Sequence, residues 1–259
     1  MWLDSFFYNI LNQETQTFKM DLPEKRIIFI DTNVFESQNF FKGKNLNTLC
    51  KYALNNSLEL KITDIIHKEL IQRISSNVNK SRKIYKELIK QLNGDGKILK
   101  NSNQFQEFYK FPEFNPSLIK SELAEKLESF ISQNNIEIIE SDIADITNVF
   151  EKYFDTKPPF KEGNKKHEFP DAFIFSTIEN WAINENKHVY LISGDNDMRN
   201  IESQLVNTNF NLTQILEKLT KEIDKKHTDY IESRFPNYIE NIEKRLLKNY
   251  LTELEESVS

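Results

Sequence analysis

The stretch Arg26-Ile27-Ile28-Phe29-Ile30-Asp31-Thr32-Asn33 sets four apolar residues in a row and then an acid. The run does not alternate with polar residues, which marks a central strand buried on both faces, the kind found in parallel sheets. In an open α/β sheet the carboxyl ends of the strands border the crevice where ligands bind. Asp31 is therefore placed for chemistry rather than for packing.

A second stretch repeats the pattern. His188-Val189-Tyr190-Leu191-Ile192 reads as another buried strand and runs into Ser193-Gly194-Asp195-Asn196-Asp197. Gly194 permits a tight turn, and Asp195 lands at a strand end as Asp31 does. In extended backbone Asp197 would face away from Asp195, so it lies behind the site unless the turn curls both acids inward. Two further acids sit at helix starts. Leu58-Glu59-Leu60-Lys61-Ile62 alternates like a strand, Thr63-Asp64 can cap a helix begun at Ile65, and Ile66, Leu70, Ile74, Ile84 and Leu88 recur near one helical turn. Glu69 shares the side of Ile66 and Arg73. It is either a second site carboxylate or an exposed partner of Arg73, and Asp64 or Glu87 replaces it if the register differs. Asp171 follows Pro170 and heads the apolar run Ala172–Ile178. Burying that charge costs several kcal/mol unless it is paired or bound to a metal; the alternative is a helix cap, worth about 1 kcal/mol.

Asp31, Glu69, Asp171 and Asp195 gathered at one end of a parallel sheet repel each other unless a cation neutralises them. An all-oxygen donor set selects Mg²⁺ or Mn²⁺ over Zn²⁺, and such ions orient water and a scissile phosphate. The four histidines, His67, His167, His188 and His227, are spaced unlike a ligand set.

The chain has 259 residues, a formal net charge of −6, 29% charged residues and one cysteine, Cys50. A lone cysteine forms no internal disulfide and fits a reducing compartment. With no basic-then-apolar leader and no bilayer-length apolar run, the expectation is a soluble cytoplasmic protein. Overall acidity does not exclude nucleic acid, because phosphates respond to local charge. Between Lys68 and Lys100 nine basic residues outnumber three acids. Arg73, Lys80, Arg82 and Lys83, with Lys165 and Lys166 in a later loop, are candidate phosphate contacts; the competing reading is an ordinary solvated helix face.

Around the strands the chain divides into a helical extension over 1–24, a domain over 25–206 with an insertion around 80–155, and a helical extension over 207–259 packed on the domain. Residues 35–44 read as a loop or short helix, and Ile201–Leu205 as a short helix. Residues 104–116, with Phe105, Phe108, Tyr109, Phe111 and Phe114, read as an ordered loop or insertion whose aromatics are expected to dock on the domain; the alternative is that they stack on unpaired bases. The stripe Ile239, Ile242, Leu246, Leu247, Tyr250, Leu251 and Leu254 is a candidate surface for a homodimer or a protein partner.

Phe29-Ile30-Asp31-Thr32-Asn33-Val34, Glu69, Asp171 and Ser193-Gly194-Asp195-Asn196-Asp197 together resemble the motifs of the PIN-like nuclease superfamily. The resemblance covers about Arg26–Met198, with the insertion between Lys80 and Asp155, and is closer to long bacterial PIN domain-containing proteins than to the compact toxin-type members. Gly194 departs from the residue many members carry. The resemblance implies a three-layer α/β/α fold around a central parallel sheet and a four-carboxylate site holding Mg²⁺ or Mn²⁺. It also implies metal-dependent cleavage of RNA, with Thr32, Asn33 and Ser193 supporting the acids. The remaining readings are a DNA- or structure-directed nuclease and a non-catalytic nucleic-acid-binding protein.

Overall fold

A computed structural model describes residues 25–161, Gly163, 167–199, 201–234, 242–244, 246–248 and Tyr250. The expected helix over 1–24 lies outside the described residues, as does much of the stripe after Pro236.

Among the described residues five strands form one sheet: β1 (Arg26–Ile30), β2 (Leu58–Thr63), β3 (Glu137–Ile139), β4 (Val189–Ile192) and β5 (Val206–Asn207). Their order is β3-β2-β1-β4-β5, and every neighbouring pair is parallel. The chain starts at the centre, builds outward through β2 and β3, then returns to the other flank of β1 to lay down β4. The order thus reverses between β1 and β4, the switch point at which open parallel sheets present a crevice.

The non-alternating run of β1 has the burial its sequence predicts: Ile27, Ile28, Phe29 and Ile30 are all buried. The alternation read in β2 does not appear as an inside-outside pattern. Lys61 is only 3% exposed, because β2 is an interior strand covered on both faces. Its ammonium pairs with Glu137 of β3 and with Glu59, and lies 4.7 Å from the centre of the Trp181 ring. Phe29, the register partner of Lys61, meets the same indole edge-on.

Helices enclose the sheet. In chain order they are α1 (Thr32–Ser37), α2 (Lys44–Leu54), α3 (Asp64–Asn93), α4 (Pro116–Gln133), α5 (Ile146–Asp155), α6 (Phe169–Glu185), α7 (Asn196–Arg199) and α8 (Leu212–Arg234). The result is the expected α/β/α arrangement around a central parallel sheet. Thr63 caps α3 by accepting the Ile66 amide at 3.2 Å. At 30 residues, α3 is about 45 Å long, and α4 packs along it. Asn115 caps α4 through the amides of Ser117 and Leu118. Between α3 and α4 the aromatic stretch forms short 3-10 turns. There Tyr109 and Phe111 meet edge-on, while Phe114 tilts against Tyr85 of α3.

Of the two readings of residues 35–44, the short helix forms over their start, begun already at Thr32 because Asp31 caps it. Residues 201–205 are not a helix; they lead directly into β5, whose Val206 pairs with Val189. α8 packs on α2, with Tyr52 hydrogen-bonded to Thr220 at 3.0 Å and Arg26 paired with Glu222. In the final stretch the described residues Ile242, Leu246, Leu247 and Tyr250 are exposed. No described helix is long and apolar enough to cross a membrane.

Replacing Ile28, which has no exposed surface, by alanine should cost about 3 kcal/mol through lost burial and a residual cavity. Ile84→Ala, at a side chain 70% exposed on α3, should change stability by less than about 0.5 kcal/mol. Urea denaturation of the two variants measures the contrast.

Candidate functional site

The site is built outward from the end of β1. Asp31 is the N-cap of α1, 5% exposed, and its Oδ1 accepts the Thr32 amide at 2.7 Å. Its Oδ2 accepts Asn33 Nδ2 at 2.7 Å and the Ser193 hydroxyl at 2.6 Å. Ser193 stands directly after β4, so the pairing of β1 with β4 brings these two residues together. The same hydroxyl oxygen accepts the Asp195 amide at 2.9 Å and Asn33 Nδ2 at 3.2 Å. One donor and two acceptor positions are all a hydroxyl has, and Ser193 uses every one. Asn33 Oδ1 accepts the Gly194 amide at 2.7 Å, and a Cβ at Gly194 would stand 3.1 Å from that oxygen. The small residue permits this close approach. Arg199 closes the turn by donating Nε and Nη2 to the Ser193 carbonyl at 3.3 and 3.1 Å.

Glu69, in the second turn of α3, accepts the Thr32 hydroxyl at 2.6 Å. The alternative i+4 partner, Arg73, points instead to Glu36 at 3.7 Å. Asp64 is engaged elsewhere, accepting Lys68 Nζ at 2.6 Å and the Ser141 amide at 3.0 Å. Burial opposes its charge, but the bonds from Lys68 and Ser141 prevail and hold its carboxyl below the usual range. Asp64 thus fastens the root of α3 to the segment leaving β3. Glu87 is exposed on α3, about 27 Å along the helix from Glu69.

Asp171 lies in the first turn of α6. It makes neither a hydrogen bond nor an ion pair with any described residue; in the first turn it also faces the positive end of the helix dipole, the alternative read from the sequence. Burial first, and then the charges of Asp31, Glu69, Asp195 and Glu168, push its carboxyl up to about 7. Asp31 is raised to about 6, mainly by burial; the bonds from Ser193 and Thr32 resist the shift, while Glu69 and Asp195 add to it. The four acids therefore act on one another electrostatically. Among the described residues, however, no three carboxylate, histidine or cysteine side chains form a ready-made metal-ligand cluster.

The other groups capable of chemistry lie elsewhere. His67 is bonded to Glu128 of α4 at 2.7 Å. Burial pushes the Cys50 thiol up to about 12, which removes it as a nucleophile. Lys80, Arg82 and Lys83 are exposed on α3, and Lys165 and Lys166 lie outside the described residues. The backbone at Asp197 is helical rather than extended, so the alternation rule does not apply there; its side chain is not among those described. Arg199 was not singled out from the sequence. Its signal was the basic residue in the short turn after the second acidic motif.

A groove of about 600 Å³ adjoins the acids, bordered by Asn33, Ser193, Gly194 and Asp195 on one side and by Asn45 and the start of α8 on the other. A cavity of about 610 Å³ along β5 is lined by none of the four acids.

The family model described as PIN domain matches residues 28–198, from within β1 to within α7. The chain belongs to the PIN domain family. The matched span contains all four acids and the bridging Ser193. No curated protein and no solved structure matches the chain. Membership of the PIN domain family supports a nuclease-like hydrolase function in general.

The raised carboxyl of Asp171 makes a pH prediction with a definite sign. Its folded-state pKa, about 7 against an ordinary 3.8, means that the native state holds a proton the unfolded chain releases. The resulting penalty is absent below about pH 4, grows as pH rises, and is complete above about pH 7. In chelator, Asp171→Asn should therefore be more stable than wild type at pH 8, by about 1–3 kcal/mol. The difference should vanish near pH 4, and thermal unfolding at the two pH values measures it.

Proposed function

We propose that this PIN domain is a divalent-metal-dependent endoribonuclease in which Asp31, Glu69, Asp171 and Asp195 hold Mg²⁺ or Mn²⁺. The observation that carries this reading is Asp171, pushed up by burial and by the charges of the other three acids without an ion pair to any described residue. A divalent cation relieves such repulsion, and the donors are all oxygens, the set that hard cations take. Bound there, the ion supplies an activated water and neutralises charge developing on the phosphate and the leaving oxygen.

The chain's own residues supply orientation. Thr32 N–H, Asn33 and Ser193 fix both oxygens of Asp31, and the Thr32 hydroxyl fixes Glu69. Thr32, Asn33 and Ser193 are thus positioning residues, as outer hydrogen-bond partners of metal ligands commonly are. Arg73, Lys80 and Lys83 follow Glu69 on α3 at helical spacing, so basic side chains extend from the acids along one face; Arg82 projects from another side. A phosphate backbone leaving the acids along that face meets positive charge. The buried, unreactive Cys50 is compatible with a reducing, cytoplasmic setting.

The second reading is a nucleic-acid-binding protein without chemistry, favoured by the lack of a ready-made three-ligand cluster among the described residues. Labelled single-stranded RNA and matched DNA, incubated with Mn²⁺, Mg²⁺ or chelator, separate the two readings. RNA-selective cleavage should require metal and fall by on the order of 10²-fold or more in Asp31→Asn and Asp195→Asn. Cleavage unaffected by chelator would sink the metal site. Equal cutting of DNA would remove the RNA preference, and RNA binding without cleavage would establish the second reading.

A separate check concerns the helix face. Lys80→Glu combined with Lys83→Glu should weaken binding to RNA of any sequence and flatten the dependence of log affinity on log salt by about one unit or more. Fluorescence anisotropy across a salt series reads both effects.

A further inference from the structure

The groove beside Asp195 differs in character from the basic face of α3. Its lining includes no lysine or arginine, and its sole charged residue is Asp195. Away from the acidic turns the lining is neutral: Ser37, Gln38, Asn45, Asn211 and Thr213, over the largely buried Val34 and Leu212. Three of these polar side chains, Gln38, Asn45 and Thr213, have no hydrogen-bond partner among the described residues. Asn211 is partly occupied as the cap of α8, exchanging bonds with Gln214 at 2.9 Å in both directions. The side of the groove near Gln38 depends on Gly43, where a Cβ would stand 2.4 Å from both Cβ and Oε1 of Gln38.

Those properties select among the parts of a nucleotide. With the scissile phosphate on the metal that the nuclease reading places at Asp195, the rest of the lining offers a second phosphate no lysine or arginine. A nucleobase is uncharged, presents an edge of mixed donors and acceptors, and has apolar faces. Carboxamides and a hydroxyl match such an edge, and Val34 and Leu212, buried but for a small part of their surface, floor the groove. The volume of about 600 Å³ lies within the range of small-ligand sites. The groove also begins where the acids end, since Ser193, Gly194 and Asp195 border it.

From this continuity we propose that the groove is a nucleobase subsite, which receives the base of a nucleotide adjoining the scissile phosphate and aligns the strand on the acids. The proposal rests on the nuclease reading above. It adds a neutral, base-contacting element to a substrate path otherwise made of phosphate contacts.

The test uses the full chain with Mn²⁺ and a series of short RNAs, each carrying one abasic nucleotide at a successive position around the cut. A companion measurement, by saturation-transfer NMR without metal, uses adenosine, guanosine, cytidine and uridine. In the wild type an abasic nucleotide at one position beside the cut should raise KM by about tenfold. In Asn45→Leu and in Thr213→Val that preference for the intact RNA should collapse, and nucleoside saturation transfer should fall with it. Cleavage by wild type with the preference unchanged in both variants overturns the subsite and leaves the nuclease reading standing. No cleavage, but nucleoside contact that disappears in Asn45→Leu, overturns the nuclease reading and retains a base-binding groove. Absence of both overturns both.

Discussion

The hydrogen bond from the Ser193 hydroxyl to Asp31 joins residues 162 positions apart in sequence, and the geometry of the acidic end of the sheet depends on it. It forms because β4 pairs with β1 in parallel register, Ile30 opposite Ile192, so that both strands end at the same level. The Asp31 amide continues that ladder by donating to the Ile192 carbonyl at 3.0 Å. The turns leaving the two strands are consequently held across the switch point as one unit. Asn33 and Gly194 add a second bridge beside the first. The Ser193–Asp31 bond is buried and the Asn33–Ser193 bond half-buried, where they orient side chains with little competition from water; the Gly194 bond lies at the exposed edge.

Such a network also concentrates an electrostatic cost. Carboxylates are ordinarily placed where water or a cation solvates them. Here the sheet brings several together, and two of them are raised toward neutrality by burial and by their neighbours. Hydrogen bonds to Asp31 reduce the cost without removing it. Contrast Lys61, as buried as Asp31, whose charge is matched by Glu59, Glu137 and the Trp181 ring. Lys61 is matched within the fold, whereas Asp171 has no hydrogen bond or ion pair with any described residue, and that difference separates a packing device from a site. Violations of local consistency are expected where function imposes them.

The sequence made the sheet legible where burial leaves a compositional mark. The uninterrupted run Ile27–Ile30 announced a central strand, and the acid ending it, repeated after Ile192, located the crevice. Less could be read where a residue's surroundings come from distant chain. Lys61 looked like an outward position because local alternation cannot report that Glu137 and Trp181 arrive from other elements. Residues 201–205 looked helical because a two-residue edge strand leaves almost no periodic signal. Glu69 could not be separated from Asp64 by spacing alone. The distinction came from partners, Thr32 for one and Lys68 with Ser141 for the other. The amide-lined groove left no mark in the chain, since Asn45 and Asn211 meet only after α2 and α8 have packed.

α3 has a mechanical aspect as well. It is a single uninterrupted rod, clamped at its root where Asp64 grips Ser141, with Glu69 near that clamp and Asn93 at the far tip. Measured from Asp64, Glu69 is about 8 Å along the axis and the tip about 44 Å. Buried Ile66, Leu70, Ile74 and Val78 grip the inner half of the bar on both sides of Glu69. The carboxylate is thus seated within the gripped length and not on the overhang, so bending of the outer half leaves it in place.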